Sequence, residues 1–180
     1  LRKNKYDLLS KRNQFFLNET MAIDQKLNTI DIVDGINWNL LFYRENYTFD
    51  TSDSLLEILP IWLKNFQYLD NIVTIPKETL LNKSDNMYHW SLALTNEMQE
   101  ILQLPIDEHV FHLAKSKCIQ MLVDAGGEGN FHYHLLDKAM KYIENHNFKL
   151  IGDPYGILLT RCHSDKGFHR YILFYLPIEI

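Results

Sequence analysis

The order of elements in the last third of the chain constrains its fold most. Residues 110–124 read as one extended run, and the glycine turn Ala125-Gly-Gly-Glu-Gly-Asn130 follows it. An amphipathic helix is expected over about 133–147, then Gly152-Asp-Pro-Tyr155, a strand over 156–162 and a closing strand that ends Tyr175-Leu-Pro-Ile178. The first part of the chain runs through the same β-α-β-β order. Residues 38–44 alternate as a strand, Ser52 is a plausible helix cap, and Leu55, Leu56, Leu59, Trp62, Leu63 and Phe66 recur at helical spacing. Residues 71–76 and 87–95 supply two more strands, rich in Val, Ile, Tyr and Trp. Pro60 implies a kink or a helix start near Leu59. The expected fold is α+β: two pseudo-repeats, about 36–104 and 108–180, forming one curved antiparallel sheet with helices on one face. A cleft between the halves would admit a small molecule.

Composition bounds what such a domain does. With 180 residues, 46% hydrophobic and 13% aromatic, a sizeable core is affordable. Ten Tyr, ten Phe and three Trp suit either an aromatic-rich core or a ring-lined pocket. A net charge of −5 makes this segment a poor binder of phosphate backbones. Cys118 and Cys162 fall in strand-like segments without metal-site spacing and are expected as buried thiols in a reducing compartment. No secretory leader and no apolar run of membrane length is visible, so a soluble cytoplasmic protein with no membrane partner is expected. The chain starts at Leu1 rather than Met, which suggests a fragment or a processed chain.

Residues 1–33 are polar and carry a seven-residue repeat, with Leu9, Phe16, Ile23 and Ile30 in one register and Tyr6, Asn13, Thr20 and Leu27 in the other. That spacing draws a stripe on a helix and points to a two-chain coiled coil, Asn13 and Thr20 weakening the seam. The alternative is a helix that packs on its own domain. A linker or dimerisation helix over 1–33 and a globular body over 34–180 are the expected domains.

The segments 135–146 (LLDKAMKYIENH), 150–155 (LIGDPY), 171–178 (YILFYLPI) and 72–94, in this order, resemble the effector-binding domain of a MerR-type transcription regulator with a GyrI-like fold. The likeness spans roughly the whole chain. It implies a homodimer formed through the N-terminal helix, a DNA-binding domain outside this chain, and a pocket like that of multidrug-sensing members. Those members place glutamates directly after the Gly-Asp-x-Tyr turn and four residues before the proline of the last strand. Here these positions are Gly156 and Leu173, while the aromatic two residues before the proline is kept as Tyr175. An unpaired cation in a dry pocket is costly. A neutral, lipophilic or aromatic effector is therefore expected, unless Asp124, Glu97 or Asp153 points inward.

Alternation along the strands nominates Tyr43, Trp90, Tyr155, Tyr171, Leu173 and Tyr175 as ligand-binding residues, with a core role as the alternative for each, and assigns Trp62 and Phe66 to the core. The pairs His132/His134, with Glu128 upstream, and His109/His112 lack a third convergent ligand, so no metal or other cofactor is expected. Catalysis is the rival reading, a GyrI-like small-molecule hydrolase, but Gly156 and Leu173 stand where the family keeps its acids, and Cys118 carries no activating signature. A dimerisation or interaction module with a degenerate pocket is the third.

Overall fold

Alternation along the strands builds a single sheet with two unlike faces. The structure, a computed structural model, describes residues 2–83, 87–127 and 132–180; the expected turn at 125–130 lies partly outside them. The N-terminal segment gives helices α1 (Arg2–Met21) and α2 (Ile23–Lys26) and strand β1 (Ile30–Asp34). The first half continues with β2 (Trp38–Glu45), β3 (Thr48–Phe49), α3 (Asp53–Leu63), β4 (Asp70–Thr74), α4 (Lys77–Asn82), β5 (His89–Thr95) and α5 (Asn96–Leu102). The second half comprises β6 (Val110–Leu113), β7 (Lys117–Asp124), α6 (Asp137–Asn145), β8 (Lys149–Leu150), β9 (Tyr155–Ser164) and β10 (Gly167–Glu179).

The strands pair antiparallel in the order β1-β7-β10-β9-β4-β5-β2-β3, with β6 also on β2 and β8 on β10. The halves join where β4 meets β9, through Ile72 opposite Ile157, Val73 opposite Gly156 and Thr74 opposite Tyr155, and again where β6 pairs along β2. The α+β class and the β-α-β-β order are present in both halves. The extended run expected over 110–124 is two strands, because residues 114–116 leave the ladder. The Lys115 N–H donates to the Asn37 side chain and the Ser116 carbonyl accepts the Gly35 N–H. These bonds turn the chain from β2, in one half, towards β1 and β10 in the other.

One face of the sheet carries α3 and α6. Leu136, Ala139 and Ile143 are buried against Met121, Phe174 and Leu176, each such leucine or isoleucine contributing roughly 1.5–3 kcal/mol on burial. Leu55, Ile58 and Trp62 of α3 bury against Leu41, Leu92 and Leu94. Pro60 lies inside α3 without ending it. Trp62 is core as expected, its Nε1 donating to the Pro105 carbonyl at 3.0 Å. Phe66 is not: the short 3-10 turn Phe66–Tyr68 holds it outward at 58% exposure.

The N-terminal repeat does not stay in one helix. Ile23 is in α2, and Ile30 is a strand residue opposite Met121, after Asn28 has turned the chain at φ +60°. Phe16 and Ile23 pack on the face opposite α3 and α6, around Tyr155 and Tyr175, while Leu9 packs on the cluster that includes α3, so all three are engaged by their own domain. Cys118 is buried, but Cys162 is exposed, because β9 and β10 extend past the sheet as a hairpin whose far end has no partner layer. Among the described residues, no helix is long and apolar enough to cross a membrane.

Candidate ligand-binding site

The six nominated residues divide between the two faces. Tyr155, Leu173 and Tyr175 are buried on the face that α1 crosses, and Tyr171 packs half-buried at its margin. Tyr43 and Trp90 project to the other face, among the residues under α3 and α6. Trp90 is buried there beside Val73 and Phe174. The residues that share the α1 face from β2 and β5 are Trp38, Leu40 and Ala93.

Tyr155 and Tyr175 form its floor. They are cross-strand partners, and their rings stack with centroids 5.1 Å apart and planes 5° apart. The Tyr155 hydroxyl accepts the Ile36 N–H at 3.1 Å, and the Tyr175 hydroxyl accepts from Gln120 Nε2 at 2.9 Å. Burial drives both phenols up, Tyr175 to about 12 and Tyr155 further, so both remain neutral at physiological pH. Gly35 allows this approach: a Cβ there would stand 2.8 Å from the Tyr155 hydroxyl and 2.9 Å from Cys118 Sγ. Burial likewise raises the Cys118 thiol, which makes it an unreactive packing group.

Next to this floor, α1 bridges over a cavity of about 250 Å3. Phe15, Phe16, Trp38, Tyr68, Met98 and Ile157 give it apolar walls. One acid is buried in it. Asp70, the first residue of β4, is 5% exposed, and Arg12 reaches it from α1. Arg12 Nε donates to Asp70 Oδ1 at 2.7 Å and Nη2 donates to the Leu69 carbonyl at 2.8 Å. The guanidinium carbon lies 4.9 Å from the Phe16 ring centre. Burial pushes the Asp70 carboxyl above its ordinary range, and Arg12 opposes that push.

None of the three acids considered from sequence plays this part. Asp124 receives the Gly126 and Arg170 N–H groups and bonds His169 at 2.6 Å, beyond the cavity. Asp153 accepts the Lys77 N–H. Glu97 lines the cavity but is exposed. Position 156 faces away from the site, since a Cβ on Gly156 would meet Ile172 Cγ2 at 2.5 Å and Phe174 Cδ1 at 2.9 Å. Leu173 lies on the α1 face and is apolar, but neither it nor any other of the six nominated residues lines the cavity.

Asp70 and Arg12 escaped the sequence reading. The signal for Asp70 was its place two residues before Ile72, which puts both on one strand face. The signal for Arg12 was helical spacing with Leu8 and Phe15, hidden because Arg12 and Glu19 on that side are charged. The histidines have separate neighbours: His109 contacts Ser54, His112 contacts Asn39 and His134 contacts Asp137. Among the described residues, no three His, Cys, Asp or Glu converge as a metal site would require; Glu128 lies outside them.

No protein-family model matches the sequence, and no curated protein matches it. Solved structures share its fold. A hydrolase from Listeria innocua superposes with a TM-score of 0.51 at 12% identity, over 91% of this chain and 98% of that one. An uncharacterized conserved protein from Listeria innocua gives 0.52 at 11% identity, over 91% and 98%. EcmrR in a complex with DNA gives 0.51 at 13% identity, over 96% of this chain and 65% of that one, so this chain spans about two thirds of EcmrR's length. The architecture is that of the GyrI-like fold.

Proposed function

We propose that this chain is the small-molecule-sensing domain of a MerR-type transcription regulator. It binds a neutral, lipophilic or aromatic effector in the cavity between α1 and the sheet and reaches DNA through a domain outside this chain. The observation that carries this reading is the cavity itself. It is apolar-walled and aromatic, lies beside the junction of the two β-α-β-β units, and is covered by α1, a helix outside the sheet. Its one buried charge is already met by Arg12. An uncharged ring can therefore enter without leaving an unpaired ion. The likeness to EcmrR on DNA supports the regulator context.

A ligand acts on such a protein only through different affinities for two conformations. Here the conformations are α1 seated and α1 shifted. Homodimerisation would use the outer side of α1, where Tyr6, Leu17 and Met21 are exposed, since Leu9, Phe16 and Ile23 are engaged below. A binding role is favoured over catalysis by the tyrosine partners: a backbone N–H and a glutamine amide meet the two hydroxyls, and among the described residues no carboxylate does.

Thermal-shift screening with neutral and cationic aromatic compounds tests the proposal, with Trp fluorescence as confirmation, since Trp38 lines the cavity. Neutral aromatics should raise the Tm in proportion to the logarithm of concentration once the site is saturated. No response across a broad aromatic set would reject the sensor and leave an interaction module.

A further inference from the structure

Outside the cavity, on the hairpin of β9 and β10, three side chains form a continuous hydrogen-bonded chain. His169 Nδ1 stands 2.6 Å from Asp124 Oδ2, and His169 Nε2 stands 2.8 Å from Ser164 Oγ. Strand register brings them together: Ser164 is opposite Gly167, His169 opposite Cys162 and Tyr171 opposite Asp124, so all lie on one face. Their other partners fix the protons. Asp124 Oδ1 accepts the Gly126 N–H at 2.9 Å and the Arg170 N–H at 3.2 Å. Burial pushes the Asp124 carboxyl up, but the bonds from His169, Gly126 and Arg170 outweigh it and hold the carboxyl below its ordinary range. An ionised carboxylate only accepts, so in the neutral imidazole Nδ1 carries the hydrogen and Nε2 keeps its lone pair. Ser164 Oγ accepts the Lys166 N–H at 3.0 Å, which leaves its own hydrogen for Nε2. A general base needs this arrangement to draw a proton from a serine. The His169 ring lies beside that of Tyr171, with planes 7° apart, which helps to hold it in place.

We propose that Ser164, His169 and Asp124 form a hydrolytic site for small activated esters, separate from the effector cavity. Ser164 Oγ attacks the ester carbonyl carbon, and His169 Nε2 takes the hydroxyl proton. The bond from that carbon to the alcohol oxygen breaks, and the alcohol leaves with the proton. Water then adds to the acyl-serine and gives a proton to Nε2. The acyl–Oγ bond breaks, the acid is released and the proton returns to Ser164 Oγ. Asp124 does not touch the ester; it is a positioning residue that holds the tautomer. Ser164 is exposed, so an ester meets it from open solvent, and reactivity rather than fit selects the substrate. The same three residue types meet at Ser54, His109 and Asp50, with one difference. Ser54 Oγ is 2.7 Å from His109 Nε2, but Asp50 Oδ2 is 3.8 Å from His109 Nδ1, beyond hydrogen-bond reach. The orienting carboxylate is thus in place at Ser164 and out of place at Ser54.

The test is covalent labelling with a fluorophosphonate, which loses fluoride as the serine oxygen bonds phosphorus, mapped by mass spectrometry and run beside p-nitrophenyl acetate hydrolysis. The full chain should take up the phosphonyl group on Ser164 and turn over the ester. Ser164→Ala should lose both while keeping the wild-type Tm, since that side chain is exposed. His169→Gln should slow labelling about a hundredfold or more, the contribution of a general base. Asp124→Asn should slow it at least about tenfold. Its His169 ring nitrogen shifts should report the reversed tautomer, a change that loss of packing alone would not give. If Asp124→Asn does not fold, Ser164→Ala and His169→Gln decide the matter. No adduct, an adduct at Ser54 instead, or equal labelling of wild type and His169→Gln overturns the site. Each of these outcomes leaves the sensor reading as it was, because the two sites share no residue.

Discussion

Between Tyr155 and Ile157, Gly156 has room for a hydrogen and nothing larger. A methyl group there would press on Ile172 and Phe174, both within 3 Å and fully buried. Gly156→Ala should therefore cost about 1–3 kcal/mol through overpacking, read as a lower urea midpoint with an unchanged slope. An equal or higher midpoint would show that these side chains can yield. Asp70 has a pH signature. Burial lifts its folded-state pKa above the ordinary 3.8. A raised carboxyl contributes its stability in full below the unfolded value and loses it as pH climbs through the folded one. Asp70→Asn has no such titration. The stability of wild type relative to this variant should thus fall as pH rises through that window, as followed by urea titrations at several pH values. A flat or rising difference would refute the buried, desolvated state of the carboxyl.

At the scale of elements, legibility followed the kind of pattern each segment carries. Helix α6 and strand β10 were readable because their apolar residues repeat at the helical and strand periods, with Leu136, Ala139 and Ile143 on one side of the helix and Ile172, Phe174 and Leu176 on one side of the strand. The break between β6 and β7 was not, since Ala114-Lys-Ser116 contains neither Gly nor Pro; the bonds from Gly35 and to Asn37 that divert the chain come from distant sequence. The cavity itself was not legible: Tyr155, Leu173 and Tyr175 share the α1 face by alternation, but none of the six nominated residues lines it. Tyr43 and Trp90 could not be assigned to a face, because alternation within one strand leaves open which side meets the helices. Helix α1 misled for a related reason. An apolar repeat suits a partner chain as well as a sheet, and the charged residues that fix the choice, Arg12 to Asp70 and Glu19 to Lys26, do not count in it.

Across the whole molecule the two halves are one body. Three residue pairs join β4 to β9 and four join β2 to β6, and α1 spans the junction, with Leu8 and Leu9 packed on the cluster that includes α3 and with Phe16 and Ile23 on the residues around Tyr155 and Tyr175. Neither half can melt without exposing apolar surface of the other. Thermal unfolding should therefore be a single transition, with far-UV and near-UV signals coincident and calorimetric and van't Hoff enthalpies equal. Two separated transitions would mean that the junction is weaker than its packing implies.

The way α1 is tethered sets how far it carries a signal. The chain just beyond α1 and α2 is pinned: the Asn28 N–H bonds the Leu122 carbonyl at 2.8 Å, and Lys138 Nζ holds the Asn28 carbonyl at 2.7 Å. With that end fixed and the Arg12 tie released, the helix is a lever with its fulcrum at the sheet edge. Twenty residues make an arm about 30 Å long. A tilt of about 10° at the fulcrum would then displace the far tip by about 5 Å, roughly one helical turn. A subångström event beside Asp70 would thus arrive at the first turn of α1 as a movement large enough to change what that turn touches.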